Sequence, residues 1–267
     1  MLILHCEDSL EGIFTAIYDA FAYKKQMQQP YRDDIEIAMG EGCLTLFAEE
    51  REVVVDAEKV EKIVRTIQSR LGFRDYQTIV SALCHFAEDR ASVVLGYLVR
   101  AFAVEHSVMD HLADPYVMRM MELNRKVANE EDKMRGFLRF REVHSGEASV
   151  LLAQIEPKCN LVPLMMDHFS DRFPNENFII YDCNRKIAAV HEAYHACVLV
   201  SGENIHIPEK EDDYFTELWK QYFTTMEIKP RHNEKCQNNL MPKWYRKIYA
   251  GDNCVERWFV LLFLEIE

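Results

Sequence analysis

The chain has 267 residues, enough for one large domain or two ordinary ones, and 49% of them are hydrophobic and 28% charged. This composition is typical of a folded globular protein and excludes a disordered chain. The net charge of −13 also excludes an overall basic surface, so any surface that binds nucleic acid must be local.

Residues 1–55 predict a small β-α element. The apolar run Leu2–Leu4 is followed by Asp8-Ser-Leu-Glu11, a spacing typical of a helix N-terminus. Three short apolar runs then predict strands, at Ile35–Met39, Cys43–Ala48 and Glu52–Val55.

Residues 56–133 predict a helical block. From Asp56 to Gly72 the apolar residues recur at spacings of three and four, as in an amphipathic helix that ends at a glycine. Two similar patterns follow. The pair Asp114-Pro115 is typical of a further helix start, and we expect that helix to continue to about Glu130.

From residue 136 onward the pattern predicts an antiparallel sheet with a covering helix. Phe137–Val143 and Ala148–Ile155 alternate in polarity across a His-Ser-Gly turn, which is typical of a β-hairpin. The covering helix is expected at Leu161–Phe173, further strands start at Phe178–Asp182, and Asp213–Met226 predicts another helix.

Two arginines on the first predicted strand are candidate phosphate ligands. Because side chains alternate along a strand, Arg139 and Arg141 would project from one face, with Leu138 and Phe140 buried on the other. An arginine pair on a rigid sheet can bind phosphates in bidentate geometry. The alternative is a solvated face with cross-strand ion pairs.

Polar residues near the ends of the next elements are further candidates. His168 and Arg172 lie four apart on the covering helix, and Asp182 and Arg185 follow at a strand end. Binding sites often form where elements end, although a lone histidine is more often a capping or core residue.

The one basic stretch is near the C-terminus. Lys229–Tyr249 holds six basic residues, among them Arg231, Lys243 and Arg246, against one acidic residue. Its cations alternate with aromatic residues, a mixture that suits phosphates and base stacking. A helix surface packed by the aromatic residues is the alternative.

His191, Glu192 and His195 form an H-E-x-x-H sequence. On a helix the two histidines would bind zinc and the glutamate would act as a general base. The flanking residues predict strands, and on a strand the histidines would lie about 13 Å apart, too far for one metal. We therefore expect a strand, a turn and a second strand with surface histidines.

The sequence lacks the motifs of several common classes of cofactor-binding and membrane proteins. The eight cysteines include no CxxC pair, which indicates reduced thiols and no iron–sulfur cluster. No glycine-rich phosphate loop or dinucleotide motif occurs, so no cofactor is predicted. Without a long apolar stretch or a secretory signal, we expect a cytoplasmic protein that does not enter a membrane.

Several segments, taken in order, are similar to a family of bacterial DNA-metabolism and DNA-repair proteins. They are Arg135–Glu142, Asp167–Pro174, Phe178–Lys186, Ala188–His191 and Asn233–Lys247. The resemblance covers roughly residues 1–250. It implies a strand and turn at the H-E-x-x-H sequence, and the tail 251–267 does not match.

The resemblance implies a companion of a radical-SAM protein encoded beside it. In some relatives the domain is fused to a module similar to uracil-DNA glycosylases, and no settled activity comes with the family. The polar positions that the family shares fall on Arg139, His168, Arg172, Asp182, Arg185 and Arg246.

Together these observations predict an α+β protein: an N-terminal β-α element, a helical block, an antiparallel sheet with a covering helix, and C-terminal helices. We expect one part at residues 1–135 and another at 136–267, which form two domains or pack as one. The preferred function is a nucleic-acid-binding accessory of the radical-SAM partner. We expect the candidate cations of this chain to converge on one concave surface. A zinc hydrolase and a non-catalytic protein-interaction module are the alternatives, and the sequence names neither substrate nor reaction.

Overall fold

A computed structural model of the protein contains both helices and strands, largely in separate runs along the chain, which confirms the predicted α+β class. The structure describes residues 1–27, 35–40, 48–103, 108, 111–145, 148–203, 205, 218, 221–222, 225–226, 228, 233–240 and 242. The chain divides into two compact units, Met1–Glu130 and Glu131–Glu267. No helix among the described residues is long and apolar enough to cross a membrane.

The first unit contains a parallel sheet of three strands. Strand β1 (Leu2–Cys6) lies between β2 (Ile35–Met39) and β3 (Glu49–Glu52). Helix α1 (Leu10–Gln26) follows β1 and reverses the chain direction, so β2 can run parallel to β1. The predicted β-α element is confirmed, although β3 begins at Glu49 rather than at Glu52. Most of the strand predicted at 43–48 lies outside the described residues.

Four helices complete this part of the chain. They are α2 (Ala57–Leu71), α3 (Phe73–Leu83), α4 (Arg90–Ala103) and α5 (Pro115–Phe137), whose last residues belong to the second unit. The Asp56 carboxylate accepts the N–H groups of Glu58 and Lys59 and so begins α2. Gly72, with a φ of 92°, ends that helix in a conformation that favours glycine. Asp114 caps α5 in the same way as Asp56 caps α2.

The core of the first unit is made by one face of each helix and by the sheet. Ile17, Ile67, Leu98 and Leu123, from α1, α2, α4 and α5, are fully buried, and Ile37 joins them from β2. Burying each such side chain stabilises the fold by roughly 1.5–3 kcal/mol.

The second unit contains a mixed sheet of five strands. They are β4 (Arg141–Ser145), β5 (Ala148–Ile155), β6 (Phe178–Asp182), β7 (Ile187–His191) and β8 (Val198–Ser201), adjacent in this order. The hairpin of β4 and β5 is confirmed, but the prediction of a wholly antiparallel sheet is wrong, because β5 and β6 are parallel. Helix α6 (Val162–Arg172) lies between them in the chain and returns it to the end where β5 began. Helix α6 packs against β6 and β7, as the predicted covering helix should.

The segment Phe137–Val143, predicted as one strand, is divided between the end of α5, a short connection and the start of β4. The N–H of Leu138 donates to the carbonyl of Met134 at 2.8 Å, so helical hydrogen bonding continues past the last residue of α5. Met134 and Leu138 are both buried because a spacing of four places them on one helical face. The prediction that Arg139 and Arg141 share a strand face is therefore wrong: Arg139 precedes β4, and Arg141 is its first residue.

Other predicted features lie mostly outside the described residues. Among these are the helix at Asp213–Met226, most of the basic stretch and the tail 251–267. Within the basic stretch the structure describes a short helix, α7 (Glu234–Leu240).

Candidate functional site

Three arginines and a histidine line one cavity of about 420 Å³ in the second unit. These residues are Arg135, Arg139, His168 and Arg172. The other lining residues are Gly136, Leu138, Phe140, Phe169 and Phe173. We name this cavity the arginine pocket.

The end of α5, the connection that follows it and helix α6 bring these side chains together. Arg135 lies in the last turn of α5, and Arg139 lies in the connection that follows it. His168 and Arg172 are four residues apart on α6, a spacing that places them on one face of the helix. Phe169, the neighbour of His168, is buried and fixes the orientation of that face.

Arg135 and Arg172 differ in how their charges are compensated. Arg135 forms an ion pair with Glu131 at 2.5 Å and donates to the carbonyl of Leu164 at 3.3 Å. The guanidinium of Arg172 lies over the Phe173 ring, 5.6 Å from its centroid. Within the part of the chain that the structure describes, no carboxylate is within ion-pair distance of Arg172. Its charge is therefore available to an anionic ligand.

Arg139 is held against the end of α5. Its Nη1 donates to the carbonyl of Gly136 at 3.1 Å and to that of Leu138 at 3.0 Å. Carbonyl oxygens at a helix C-terminus carry partial negative charge, which favours a cation at this place. These bonds orient the guanidinium at the edge of the pocket.

A cluster of phenylalanine rings forms the base of the arginine pocket. The Phe140 ring centroid lies 5.6 Å from those of Phe169 and Phe173 and 5.7 Å from that of Phe178 in β6. Edge-to-face pairs of this kind stabilise by about 0.5–1.5 kcal/mol beyond the buried area. The rings also lower the local dielectric constant, which strengthens the field of the guanidinium groups.

His168 is held in its neutral form by its surroundings. Burial lowers the pKa of His168, and the positive charges of Arg135 and Arg172 lower it further, while Asp171 acts in the opposite direction. Its ring also lies edge-on against Phe169, with centroids 5.1 Å apart. At neutral pH, His168 can therefore donate one hydrogen bond and accept another.

Asp182 and Arg185, two of the sequence candidates, do not line the pocket but hold the turn between β6 and β7. The fully buried Asp182 carboxylate accepts the N–H groups of Asn184 and Arg185 at 2.8 and 3.1 Å. Arg185 pairs with Asp182 at 3.2 Å and donates to the carbonyls of Pro157 and Lys158. Burial raises the pKa of Asp182, and the contacts from Arg185 and Asn184 oppose that rise. Asp182 and Arg185 therefore stabilise the turn between β6 and β7.

The remaining arginine and lysine candidates are not part of the pocket as described. Arg141 begins β4, where it lies opposite Leu152 of β5. Arg231, Lys243 and Arg246 lie outside the described residues. Of the sequence candidates, the structure brings together Arg139, His168 and Arg172.

The H-E-x-x-H sequence lies at the end of β7 and in the turn that follows. His191 is buried, contrary to the expected surface position, because its ring stacks on Phe178 at 4.6 Å and its Nδ1 donates to the Glu176 carbonyl at 2.9 Å. Tyr194 has a φ of 67°, and His195 is exposed. The predicted strand and turn are confirmed, and the helix that the zinc-hydrolase alternative requires is not formed by these residues.

The first unit contains a larger cavity of about 880 Å³ beside α1 and α2. Of its two cations, Arg70 is engaged by Phe102, whose carbonyl accepts from it at 3.3 Å and whose ring lies 4.9 Å below it. The second cation is Lys25. Because the arginine pocket gathers more positive charge in a smaller volume, it is the stronger candidate site.

Sequence reasoning missed Arg135, Phe140 and Phe173 as members of the site. Arg135 precedes Arg139 by four residues, so a helical spacing across this segment would have grouped them. A strand predicted over Phe137–Val143 does not group residues by that helical spacing. The two phenylalanines carry no signal of their own in the sequence.

A comparison with protein families matches residues 88–249 to a domain of unknown function, DUF4130. This range is more than half of the chain, and it contains every residue that lines the arginine pocket. No curated protein resembles the chain closely enough to count as a relative. The chain belongs to the DUF4130 family.

Proposed function

We propose that this protein binds nucleic acid through the arginine pocket and serves DNA metabolism as an accessory to a radical-SAM protein. The observation that carries the proposal is the convergence of Arg139, His168 and Arg172 with Arg135 in one cavity. Guanidinium groups bind phosphate oxygens in bidentate geometry, and phosphate contacts supply much of the affinity for nucleic acid.

The pocket gives an acidic chain the local cationic surface that such binding needs. With a net charge of −13, the protein as a whole repels a polyanion. Three guanidinium groups surround one cavity, and although Arg135 is paired with Glu131, the local charge is positive. Phosphate contacts position a strand without reading its bases, so we expect little dependence on sequence.

The link to a radical-SAM partner is supported by the resemblance of the sequence. In this role the chain holds a strand while the partner supplies the chemistry. The arginine pocket fits such a role because the side chains that line it bind and orient an anion.

The experiment measures binding of a fluorescent single-stranded oligonucleotide to the whole chain. Arg172→Gln and Arg139→Gln should each weaken binding about tenfold, since each removes a charged phosphate ligand worth roughly 1.5 kcal/mol. Arg74→Gln is the matched control, because Arg74 is an exposed arginine that does not line the pocket. It should change affinity less than about twofold.

Equal losses in all three variants would indicate a general charge effect and contradict a site at the pocket. A second arm adds a radical-SAM protein of the kind that the resemblance implies. We expect the two proteins and the oligonucleotide to elute together. If the pair does not associate with or without DNA, the accessory role is wrong.

A further inference from the structure

The aromatic rings of the arginine pocket pack against one another. Phe169 and Phe173 are parallel with centroids 6.5 Å apart, and Phe140 meets both edge-on. Phe140 therefore occupies a place against both rings, where it contacts them edge to face. The guanidinium of Arg172 also lies over the ring of Phe173. The rings therefore form the base of the pocket, and its polar side chains contact the ligand.

The polar side chains of the pocket are predominantly hydrogen-bond donors. Each guanidinium carries five N–H groups and no acceptor. Among the lining residues that the structure describes, none is Asp, Glu, Asn or Gln. The edge of a base presents both donors and acceptors, whereas an ionised phosphate presents acceptor oxygens alone. The lining matches a phosphate group better than it matches a base.

The charge of the pocket distinguishes between two kinds of phosphate. A phosphodiester inside a strand carries a single negative charge, whereas a phosphate monoester carries about −1.5 to −2 at pH 7. Arg135 is already paired with Glu131, and the guanidinium groups of Arg139 and Arg172 offset a dianion more fully than a monoanion. Arg172 contributes most directly, because no carboxylate of the described residues lies within ion-pair distance of it.

On the basis of the proposed nucleic-acid function, we infer that the arginine pocket receives the terminal phosphate monoester of a nucleic-acid strand. Arg139 and Arg172 bind its oxygen atoms from the connection after α5 and from α6. His168 bonds to a further oxygen from the same face of α6 as Arg172. A volume of about 420 Å³ is that of a small-ligand site, which suits one end group rather than a strand passing through.

The protonation of His168 would respond to a dianionic ligand. Without ligand, burial and the charges of Arg135 and Arg172 keep the pKa of His168 low, against a weaker effect of Asp171. A bound dianion would add negative charge beside the imidazole and favour its protonated form. A protonated imidazole donates a charge-assisted hydrogen bond to the phosphate, which is stronger than the bond from a neutral ring.

The test compares single-stranded oligonucleotides of one sequence that differ only in their ends. One carries a 5′-phosphate, one a 3′-phosphate and one hydroxyls at both ends, and the fourth is a circle of the same composition. Each is titrated into the whole chain. We expect one phosphorylated form to bind at least about tenfold more tightly than the hydroxyl form and the circle. Arg172→Gln should reduce this preference to about twofold, and Arg74→Gln should leave it unchanged.

The outcomes separate this inference from the proposed function. If the hydroxyl and circular forms bind as tightly as the phosphorylated ones and still depend on Arg172, the strand binds at the pocket but its end is not recognised. A nucleoside monophosphate that binds as tightly as the phosphorylated strand would overturn the assignment to a strand end. If no oligonucleotide binds, the proposed function fails and this inference fails with it.

Discussion

The protonation of His168 depends on its neighbours in the arginine pocket. Burial and the guanidinium groups of Arg135 and Arg172 lower its pKa, and Asp171 opposes them. A histidine with a lowered pKa is neutral at pH 7, and it gains a proton only as the pH falls below the usual value of about 6.5.

We predict that NMR titration of His168 gives a pKa below that of an exposed histidine. In Arg172→Gln the pKa should rise, because removal of a nearby positive charge favours the protonated imidazole. Arg74→Gln serves as the control and should leave the titration unchanged. A His168 pKa that is the same in Arg172→Gln as in the original chain would show that Arg172 does not act on the imidazole.

At the scale of residues, the sequence identified part of the candidate site. Arg139, His168 and Arg172 were candidates because of their residue types and positions near element ends. Asp182 and Arg185 had the same kind of signal but pair with each other at a turn. Pairing between side chains depends on the fold, so sequence spacing alone cannot separate a binding arginine from a structural one.

At the scale of elements, helix α4 packs against the start of α5 through a glycine. A Cβ atom added at Gly96 would lie 2.2 Å from Cδ1 of the Tyr116 ring, well inside van der Waals contact. The Arg100 guanidinium lies 4.2 Å from the centroid of that ring and pairs with Asp114 at 2.8 Å. The ring is therefore confined on more than one side.

We predict that Gly96→Ala destabilises the protein by about 1–3 kcal/mol, because the added methyl group must displace Tyr116. Gly136→Ala is the matched control, since Gly136 is also helical and a Cβ atom there would meet nothing within 4 Å. It should be neutral or stabilising by up to about 1 kcal/mol. Thermal unfolding of the two variants measures the difference, and an equal effect of both changes would contradict the packing described for α4 and α5.

The boundaries of elements were predictable where local chemistry determines them. Helix α2 begins after Asp56 and ends before Gly72 because a capping carboxylate and a glycine act within a few residues. The end of α5 was not predictable in this way, because alternation over seven residues at Phe137–Val143 resembles a strand. The parallel pairing of β5 and β6 depends on the path of the chain through α6, which no short pattern records.

At the scale of the whole molecule, the distribution of charge matters more than its sum. The net charge of −13 is unfavourable for binding a polyanion. The arginine pocket is nevertheless lined by three guanidinium groups, all within the range that matches the DUF4130 domain. Binding of nucleic acid by this protein should therefore depend on a few phosphate contacts at one place.

The salt dependence of binding tests this claim most directly. Affinity for single-stranded DNA, measured from about 50 to 200 mM salt, should fall linearly on logarithmic axes as condensed cations are released. Arg172→Gln should reduce the slope by about 0.7, the value for one lost phosphate contact on a single strand. Arg74→Gln should keep the original slope. A slope near zero, or one that Arg172→Gln leaves unchanged, would contradict phosphate binding at the arginine pocket.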